Sequence, residues 1–156
     1  MPTPFNQLCE ELNVSLTPAL VARGYVAPGV PFNRKESKYE FKRSSPSGTQ
    51  TLAVLFNRNR RPNFSIQLYV EPTDGWASAR ARGEEFIVGF LVRRRRIWPF
   101  AVEHFGLHQS KIAAFLGRPP KSAAQAIQEA IALVPEVEGW WLHQANHGHI
   151  ITATSR

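Results

Sequence analysis

Hydrophobic and polar residues alternate over much of the span 37–70, the period expected of antiparallel strands with one buried face. The pattern predicts three strands, at about 37–43, 50–57 and 63–70. In the third strand, every second residue starting with Phe64 is apolar. The turns between the strands are short enough for hairpins, so a meander is the simplest topology.

Apolar residues at helical spacing dominate the N-terminal segment. Thr3 is predicted to be the N-cap of a helix that has Pro4 at its first position. At Pro18 two outcomes stay open, because the helix either kinks there or gives way to a second helix that Thr17 caps. Gly24 is predicted to end this helical region.

The second half of the chain returns to helical spacing after a run of four arginines. Pro99 is predicted to open a helix that continues to Gly117. Ser122 and Gln125 match the S-x-x-Q capping box of a further helix, which is predicted to end at Pro135.

Three remaining segments complete the predicted fold. The span 85–92 is apolar on both faces and predicts a fourth, more covered strand, and the span 149–155 also favours a strand. Residues 138–141 predict a short helix or turn. The fold class is therefore α+β, with a single antiparallel sheet of about four to five strands and helices packed on one face. Because no repeat or linker interrupts the chain, residues 1–156 are predicted to form a single domain.

Composition bounds the class of protein. With 156 residues, of which 43% are hydrophobic and 20% are charged, the chain is long enough to bury one core. Cys9 is the only cysteine, which excludes an intramolecular disulfide and a zinc site built from cysteines. No stretch has the roughly 18 apolar residues of a membrane span, and the N-terminus lacks a signal-peptide pattern. We therefore expect a soluble, cytoplasmic protein without a membrane partner.

Several segments of the first half resemble a known family. They are ARGY at 22–25, Phe32, the strand sequence Phe41-Lys42-Arg43-Ser44, and NFSIQLYVEP at 63–72. In these segments the chain resembles a family of small bacterial proteins described only as a domain of unknown function. The resemblance implies a helix that ends at Gly-aromatic, then a meander, then a helical C-terminal half. It brings no catalytic residues.

The net charge of +7 is distributed unevenly. Residues 23–96 contain 15 Lys and Arg against 6 Asp and Glu, whereas the rest of the chain contains 4 against 6. We expect the cations of residues 37–96 to lie on strand ends and loops, an arrangement suited to phosphate binding. Exposed aromatic rings beside such cations can stack on bases. We therefore predict that the surface of residues 37–96 binds nucleic acid. The predicted phosphate contacts are Lys42, Arg58, Arg60, Arg61, Arg93, Arg94, Arg95 and Arg96, and the predicted stacking partners are Tyr69 and Trp76.

Two other interpretations of the same charge stay open. In one, the cations form a solvated face that keeps a small protein soluble. In the other, the chain is an immunity- or inhibitor-type protein whose charges steer its association with an acidic protein partner. Aromatic residues would then anchor that interface.

The pair Trp140-Trp141 predicts a second surface. Consecutive side chains of a regular element point in different directions, so we expect one Trp to be partly exposed or covered by another chain. Exposed Trp is enriched among the residues that anchor interfaces. Partner docking or homodimer formation through this segment is therefore a hypothesis.

An enzyme is less favoured than a binding module. The best enzymatic alternative is a metal-dependent nuclease, because Glu36-x-Lys38 and Glu40-x-Lys42 each place an acid and a lysine on one face of a strand. Such nucleases need a second acid upstream of this motif, whereas Asp74, the only aspartate, lies downstream.

Metal and nucleophile chemistry also find little support in the sequence. The spacings of His143, His147 and His149 suit a helix or a strand in pairs, but no single element brings all three together. A polar tail segment is the favoured interpretation, so no metal site is predicted. Cys9 takes a core-facing position, where a free cysteine behaves as a small apolar residue. No motif implies a cofactor.

Overall fold

The computed structural model of the chain describes residues 1–33, 35–57, 61–95, 102–107 and 111–155. Its strands are β1 (Lys38–Ser45), β2 (Gly48–Phe56), β3 (Asn63–Glu71), β4 (Phe86–Leu91), β5 (Arg94–Arg95), β6 (Val102–Glu103), β7 (Phe105–Gly106) and β8 (Ile150–Ser155). Its helices are α1 (Pro4–Glu11), α2 (Thr17–Val21), α3 (Trp76–Ala81), α4 (Lys111–Phe115) and α5 (Ala123–His143), and a π-helical turn (Leu12–Leu16) joins α1 to α2.

The main sheet is antiparallel and has the strand order β1-β2-β3-β4-β8, with β7 paired to the start of β3. β1, β2 and β3 form the predicted meander, in which Phe41 lies opposite Leu52 and Leu52 lies opposite Leu68. These three side chains are fully buried and belong to the core. The α+β class is confirmed, and the bounds of β1 to β4 fall within two residues of those predicted.

The chain stays helical across Pro18. Thr3 caps α1 as predicted, since its Oγ1 accepts a hydrogen bond from the N–H of Asn6 at 3.3 Å. Proline has no N–H to donate, and the π turn before it shifts the hydrogen-bond register by one residue, so that the N–H of Thr17 reaches the carbonyl of Leu12. Thr17 is therefore the first residue of α2 and not the cap of a separate helix.

α5 begins as predicted and ends later. The N–H of Gln125 donates to Ser122 Oγ at 3.2 Å, and the N–H of Ser122 donates to Gln125 Oε1 at 3.0 Å. The prediction that this helix ends at Pro135 is wrong. A proline inside a helix costs roughly 3 kcal/mol, and the burial of Val137 and Trp140 beyond it offsets that cost. Neither α5 nor any other helix in the described part of the chain is long and apolar enough to cross a membrane.

The segment that follows β4 is extended where a helix was predicted. Pro99 lies outside the described residues, but β6 and β7 fall within its predicted helix. β6 pairs with β5, and β7 pairs with the start of β3, where Phe105 stacks on Phe64 with ring centroids 5.4 Å apart. Gly106 allows a close backbone approach, because a Cβ there would lie 2.6 Å from Asn63 Cα. Long-range pairing therefore overrides the helical spacing here, whereas α4 confirms the later part of the prediction.

Helices lie on both faces of the sheet. Three of them, α1, α2 and α5, pack on the face that carries Phe41 and Leu52. α3 lies on the other face, where Trp76 packs against Tyr69 and Phe86 with ring centroids 6.0 and 4.8 Å apart. Trp76 is the first residue of α3.

Candidate functional site

The predicted contact Lys42 lies on the sheet face opposite α5, together with Lys38, Glu40, Tyr69 and Glu71. We call these five residues the polar face. Strand register builds it, because alternate residues of β1 and β3 point to the same side of the sheet. The polar face is thus a product of the same alternation that buries the core on the other side.

Lys42 bridges β1 and β3 across the strand between them. Its Nζ lies 3.2 Å from Glu71 Oε2 and 3.5 Å from Glu40 Oε2. Partial burial lowers the pKa of Lys42, but the hydrogen bond to Glu71 and the charge of Glu40 outweigh it, so that the pKa is raised. A phosphate at this position would compete with two carboxylates for one ammonium group.

Tyr69 and Lys38 hold the other carboxylate of the polar face. The phenol of Tyr69 donates to Glu40 Oε1 at 2.5 Å, and Lys38 Nζ lies 2.6 Å from the same oxygen. Burial raises the pKa of the Glu40 carboxyl, but these hydrogen bonds and the lysine charges outweigh it and lower the pKa to about 2. Burial, and then the hydrogen bond to Glu40, raise the pKa of Tyr69 to about 12. At neutral pH, Glu40 is therefore ionised and Tyr69 is neutral.

These contacts argue against the stacking roles predicted for Tyr69 and Trp76. Tyr69 is only 9% exposed, and Lys38 Nζ lies 5.3 Å from its ring centroid. Trp76 is half-buried because it packs on Tyr69 and meets Phe86 edge to face. Tyr69 therefore has no open ring face for a base, and Trp76 is already engaged within the fold.

Arg61, another predicted contact, is exposed and lies just before β3. Two backbone contacts beside it join β3 to β7. The N–H of Leu107 donates to the carbonyl of Pro62 at 2.9 Å, and Asn63 lies opposite Gly106. The connection that contains Arg61 therefore lies next to the segment that follows the arginine run.

The arginine run reaches the same end of the sheet through β5 and β6. Arg94 lies opposite Glu103 in this short hairpin, and a single residue separates β6 from β7. β4, which leads into the run, ends beside the first half of β3. We call the sheet end that contains Arg61, Arg93, Arg94 and Arg95 the arginine end.

Arg93 connects the arginine end to α5. Its Nη1 lies 3.7 Å from Glu129 Oε1, and Lys121 Nζ lies 2.5 Å from the same oxygen. Glu129 therefore balances part of the charge where the run begins. Three further predicted contacts, Arg58, Arg60 and Arg96, lie outside the described residues.

Two arginines at the opposite end of the sheet are engaged in ion pairs. Arg43 Nη2 lies 2.7 Å from Glu138 Oε2 and so ties β1 to α5. Arg82 Nε lies 2.8 Å from Glu84 Oε1, and the same guanidinium pairs with Asp74. The charges of Arg43 and Arg82 are therefore balanced locally.

Both tryptophans of the Trp140-Trp141 pair are buried, at 0% and 8% exposure, so the expectation that one would be exposed is wrong. The Nε1–H of Trp140 donates to Thr152 Oγ1 at 3.0 Å, and that of Trp141 donates to Tyr25 Oη at 2.7 Å. α5 contacts the sheet on one side and the N-terminal helices on another, so two directions about 100° apart both point into the core. The pair anchors α5 and presents no surface to a partner.

His149 and the nuclease-like motif, both considered for metal chemistry, have other partners. His149 Nδ1 lies 2.9 Å from Glu136 Oε1, and the backbone N–H of His149 donates to Glu136 Oε2 at 2.8 Å. In the nuclease-like motif, Lys38 and Lys42 both pair with Glu40. Among the described residues, no three His, Cys, Asp or Glu side chains are placed to hold a metal ion.

The sequence did not identify the carboxylates that decide which cations are engaged. Glu71 lies 29 residues from Lys42, and Glu138 lies 95 residues from Arg43. No motif links residues at such separations. Only the register of the meander, had it been assigned, would have brought Glu71 near Lys42.

Comparison with protein-family models, with curated proteins and with solved structures finds no match for this chain. The resemblance of its first half to a bacterial domain of unknown function stays a prediction. Function is therefore inferred from the geometry of the residues described above.

Proposed function

We propose that this chain is a non-enzymatic binding module that holds the phosphates of a nucleic acid at the arginine end. The observation that carries the proposal is the pairing of β7 with the start of β3, which brings Arg61 to the same end as the run from Arg93. Arginine suits this role because its planar guanidinium stays charged and forms paired hydrogen bonds with phosphate oxygens.

The local composition of this end supports the proposal. Residues 57–62 and 92–107 together contain seven arginines and one glutamate. A nucleic acid backbone presents closely spaced negative charges, and each phosphate that a cation neutralises releases counterions. A segment with so few carboxylates of its own is suited to take its counter-charge from a ligand.

The polar face is left out of the proposed contact surface. Lys38 and Lys42 already pair with Glu40 and Glu71, so a phosphate bound there would have to displace those ion pairs. Arg93 is left out for the same reason, because it pairs with Glu129. The proposed contacts are Arg61, Arg94 and Arg95, and Arg58, Arg60 and Arg96 stay predictions from the sequence.

Binding of this kind has a defined salt dependence. Affinity falls steeply as the salt concentration rises. Binding releases counterions from the nucleic acid, and their release into concentrated salt is less favourable. Each phosphate contact that is lost lowers the slope of log K against log salt by about one. Preference for a base sequence is expected to be weak, since phosphate contacts carry no sequence information.

The test measures the anisotropy of a short fluorescent oligonucleotide, single- and double-stranded, over a series of salt concentrations. The test variant replaces Arg61, Arg94 and Arg95 with Gln. We expect it to lose most of the affinity at low salt and about three units of the slope.

The matched control replaces Arg23, Arg80 and Arg82 with Gln. These residues lie at or beyond the opposite end of the sheet, and their loss lowers the net charge by the same amount. The control should keep the wild-type slope. Equal losses in both variants, or no binding by the wild type at low salt, would refute the proposal. A pull-down that returns one acidic protein and survives nuclease treatment would favour the alternative of a protein partner.

A further inference from the structure

β1 is an edge strand, and its outer side is only partly covered. The N–H of Phe56 donates to the carbonyl of Ser37 at 2.9 Å. This hydrogen bond fixes which residues of β1 direct their backbone groups towards β2 and which direct them outward. Odd-numbered residues of β1 bond to β2, and even-numbered residues direct their backbone groups outward. Lys42 follows this pattern, because its N–H and carbonyl both pair with Val26, at 3.2 and 2.7 Å.

Lys38 and Glu40 are the outward-directed residues at the start of β1. Among the residues that the structure describes, none pairs with their outward backbone groups. A groove of about 570 Å³ lies beside them, and the segment 26–30 forms its other wall. In that wall, Val26 and Val30 are 71% and 48% exposed. The groove thus combines free backbone donors and acceptors with an apolar wall, which is the combination that binds an added strand.

The charges along this edge alternate in sign, as Glu36, Lys38, Glu40 and Lys42. If two copies of the strand pair antiparallel about Tyr39, Lys38 of each copy lies opposite Glu40 of the other. Pairing centred on Lys38 or on Glu40 would instead place like charges opposite each other, which is unfavourable. The strand is therefore complementary to itself in the register centred on Tyr39.

We propose that a second copy of this chain occupies the groove, with the two β1 strands paired antiparallel about Tyr39 in a symmetric dimer. In such a pair, facing residues exchange both of their backbone hydrogen bonds, so Lys38 and Glu40 become fully bonded. The two main sheets join into one sheet across the interface, and the partner covers the apolar wall. An exposed strand edge is thereby removed.

This dimer is independent of the nucleic-acid proposal. The outer edge of β1 contains none of the residues of the arginine end, and the test below contains no nucleic acid. Either proposal can therefore fail while the other stands.

Sedimentation velocity over a series of protein concentrations tests the dimer. The wild type should shift from the monomer mass of 17.6 kDa towards twice that value as concentration rises. Lys38→Glu places a glutamate opposite Glu40 of the partner, and Glu40→Lys places a lysine opposite Lys38. Each variant alone should stay monomeric. An equimolar mixture of the two should recover the dimer, because every facing pair then has opposite charges.

Two more variants separate pairing from general charge and folding effects. Arg80→Glu changes the net charge as Lys38→Glu does, but it lies on α3 and should dimerise like the wild type. Lys38→Pro removes an outward N–H without reversing a charge, and it should abolish the dimer. Thermal melting followed by circular dichroism establishes that each variant is folded.

A wild-type chain that stays monomeric at every concentration would overturn the proposal. Dimers formed by both charge variants alone, or no recovery in their mixture, would also overturn it. If the chain never dimerises but binds an extended peptide at this edge, the partner is a peptide, and the proposed dimer is refuted.

Discussion

The polar face and the arginine end both contain cations from the same basic stretch of sequence, but these cations face different neighbours. On the polar face, strand register places Lys42 between Glu40 and Glu71, and the group is close to neutral. At the arginine end, the residues next to each arginine in sequence are mostly further arginines, and Glu129 of α5 pairs with Arg93. Where strand register places carboxylates beside the cations of a segment, the net charge of that segment therefore overstates the positive charge available to a ligand.

The largest effect is expected when two cations are removed from the arginine end, and removal of two cations from the polar face is the comparison. Replacing Arg61 and Arg95 with Gln should weaken oligonucleotide binding roughly 30-fold at low salt, from about 1 kcal/mol for each lost phosphate contact. Replacing Lys38 and Lys42 with Gln changes the net charge equally and should weaken binding less than about twofold, because both lysines are already paired. Fluorescence anisotropy measures both. Similar losses in the two variants would remove the distinction between the regions.

The next effect concerns stability within the polar face. Tyr69→Phe deletes the hydrogen bond to Glu40 and keeps the ring, so it should lower the free energy of unfolding by about 1.5 kcal/mol. Urea denaturation measures the loss. In a Glu40→Gln background the same substitution should cost clearly less, since its charged acceptor is gone. Oligonucleotide binding should not change, and a marked loss of binding by Tyr69→Phe would restore the stacking role.

A smaller effect is expected from pH. The pKa of Glu40 is about 2 in the folded chain, below its ordinary value of 4.5, so the unfolded chain binds the proton more readily between these values. The stability that this carboxylate contributes is therefore present above pH 4.5 and is lost as the pH falls towards 2. Glu40→Gln should flatten the decline in urea midpoint across that window. The exposed Glu10→Gln is the control, and an unchanged decline in Glu40→Gln would contradict the pairing described for the polar face.

The smallest effect tests whether the polar face can be made to bind. Glu71→Gln removes one of the two carboxylates beside Lys42 and should release part of its charge. Binding of the oligonucleotide should tighten about twofold at low salt, which corresponds to a surface ion pair of about 0.5 kcal/mol. A gain from Glu71→Gln that disappears at higher salt would confirm the electrostatic origin. Weaker binding would show that Glu71 supports the ligand.

The sequence correctly predicted the features that depend on residues close to one another in the chain. Thr3 and Ser122 cap α1 and α5 because their side chains reach backbone N–H groups three residues ahead. The alternation in β3 predicted its buried face for the same reason, since neighbouring side chains of a strand point to opposite sides.

Other features depend on distant contacts, and there the predictions were wrong. α5 continues past Pro135, and both tryptophans are buried, because the sheet and the N-terminal helices cover α5 on two sides. β6 and β7 are strands because β5 and the start of β3 are available to pair with them. None of these partners lies within the span of a helical turn, so the local pattern contained no signal for them.

The sequence by itself determined the α+β class, the meander, the principal helix starts and the uneven distribution of charge. Tertiary structure alone decided which of those charges are balanced. The reason is distance along the chain, because Lys42 and Arg43 are neutralised by carboxylates 29 and 95 residues away. Side-chain alternation is set by each residue's own backbone, whereas an ion pair requires two elements to pack in one register.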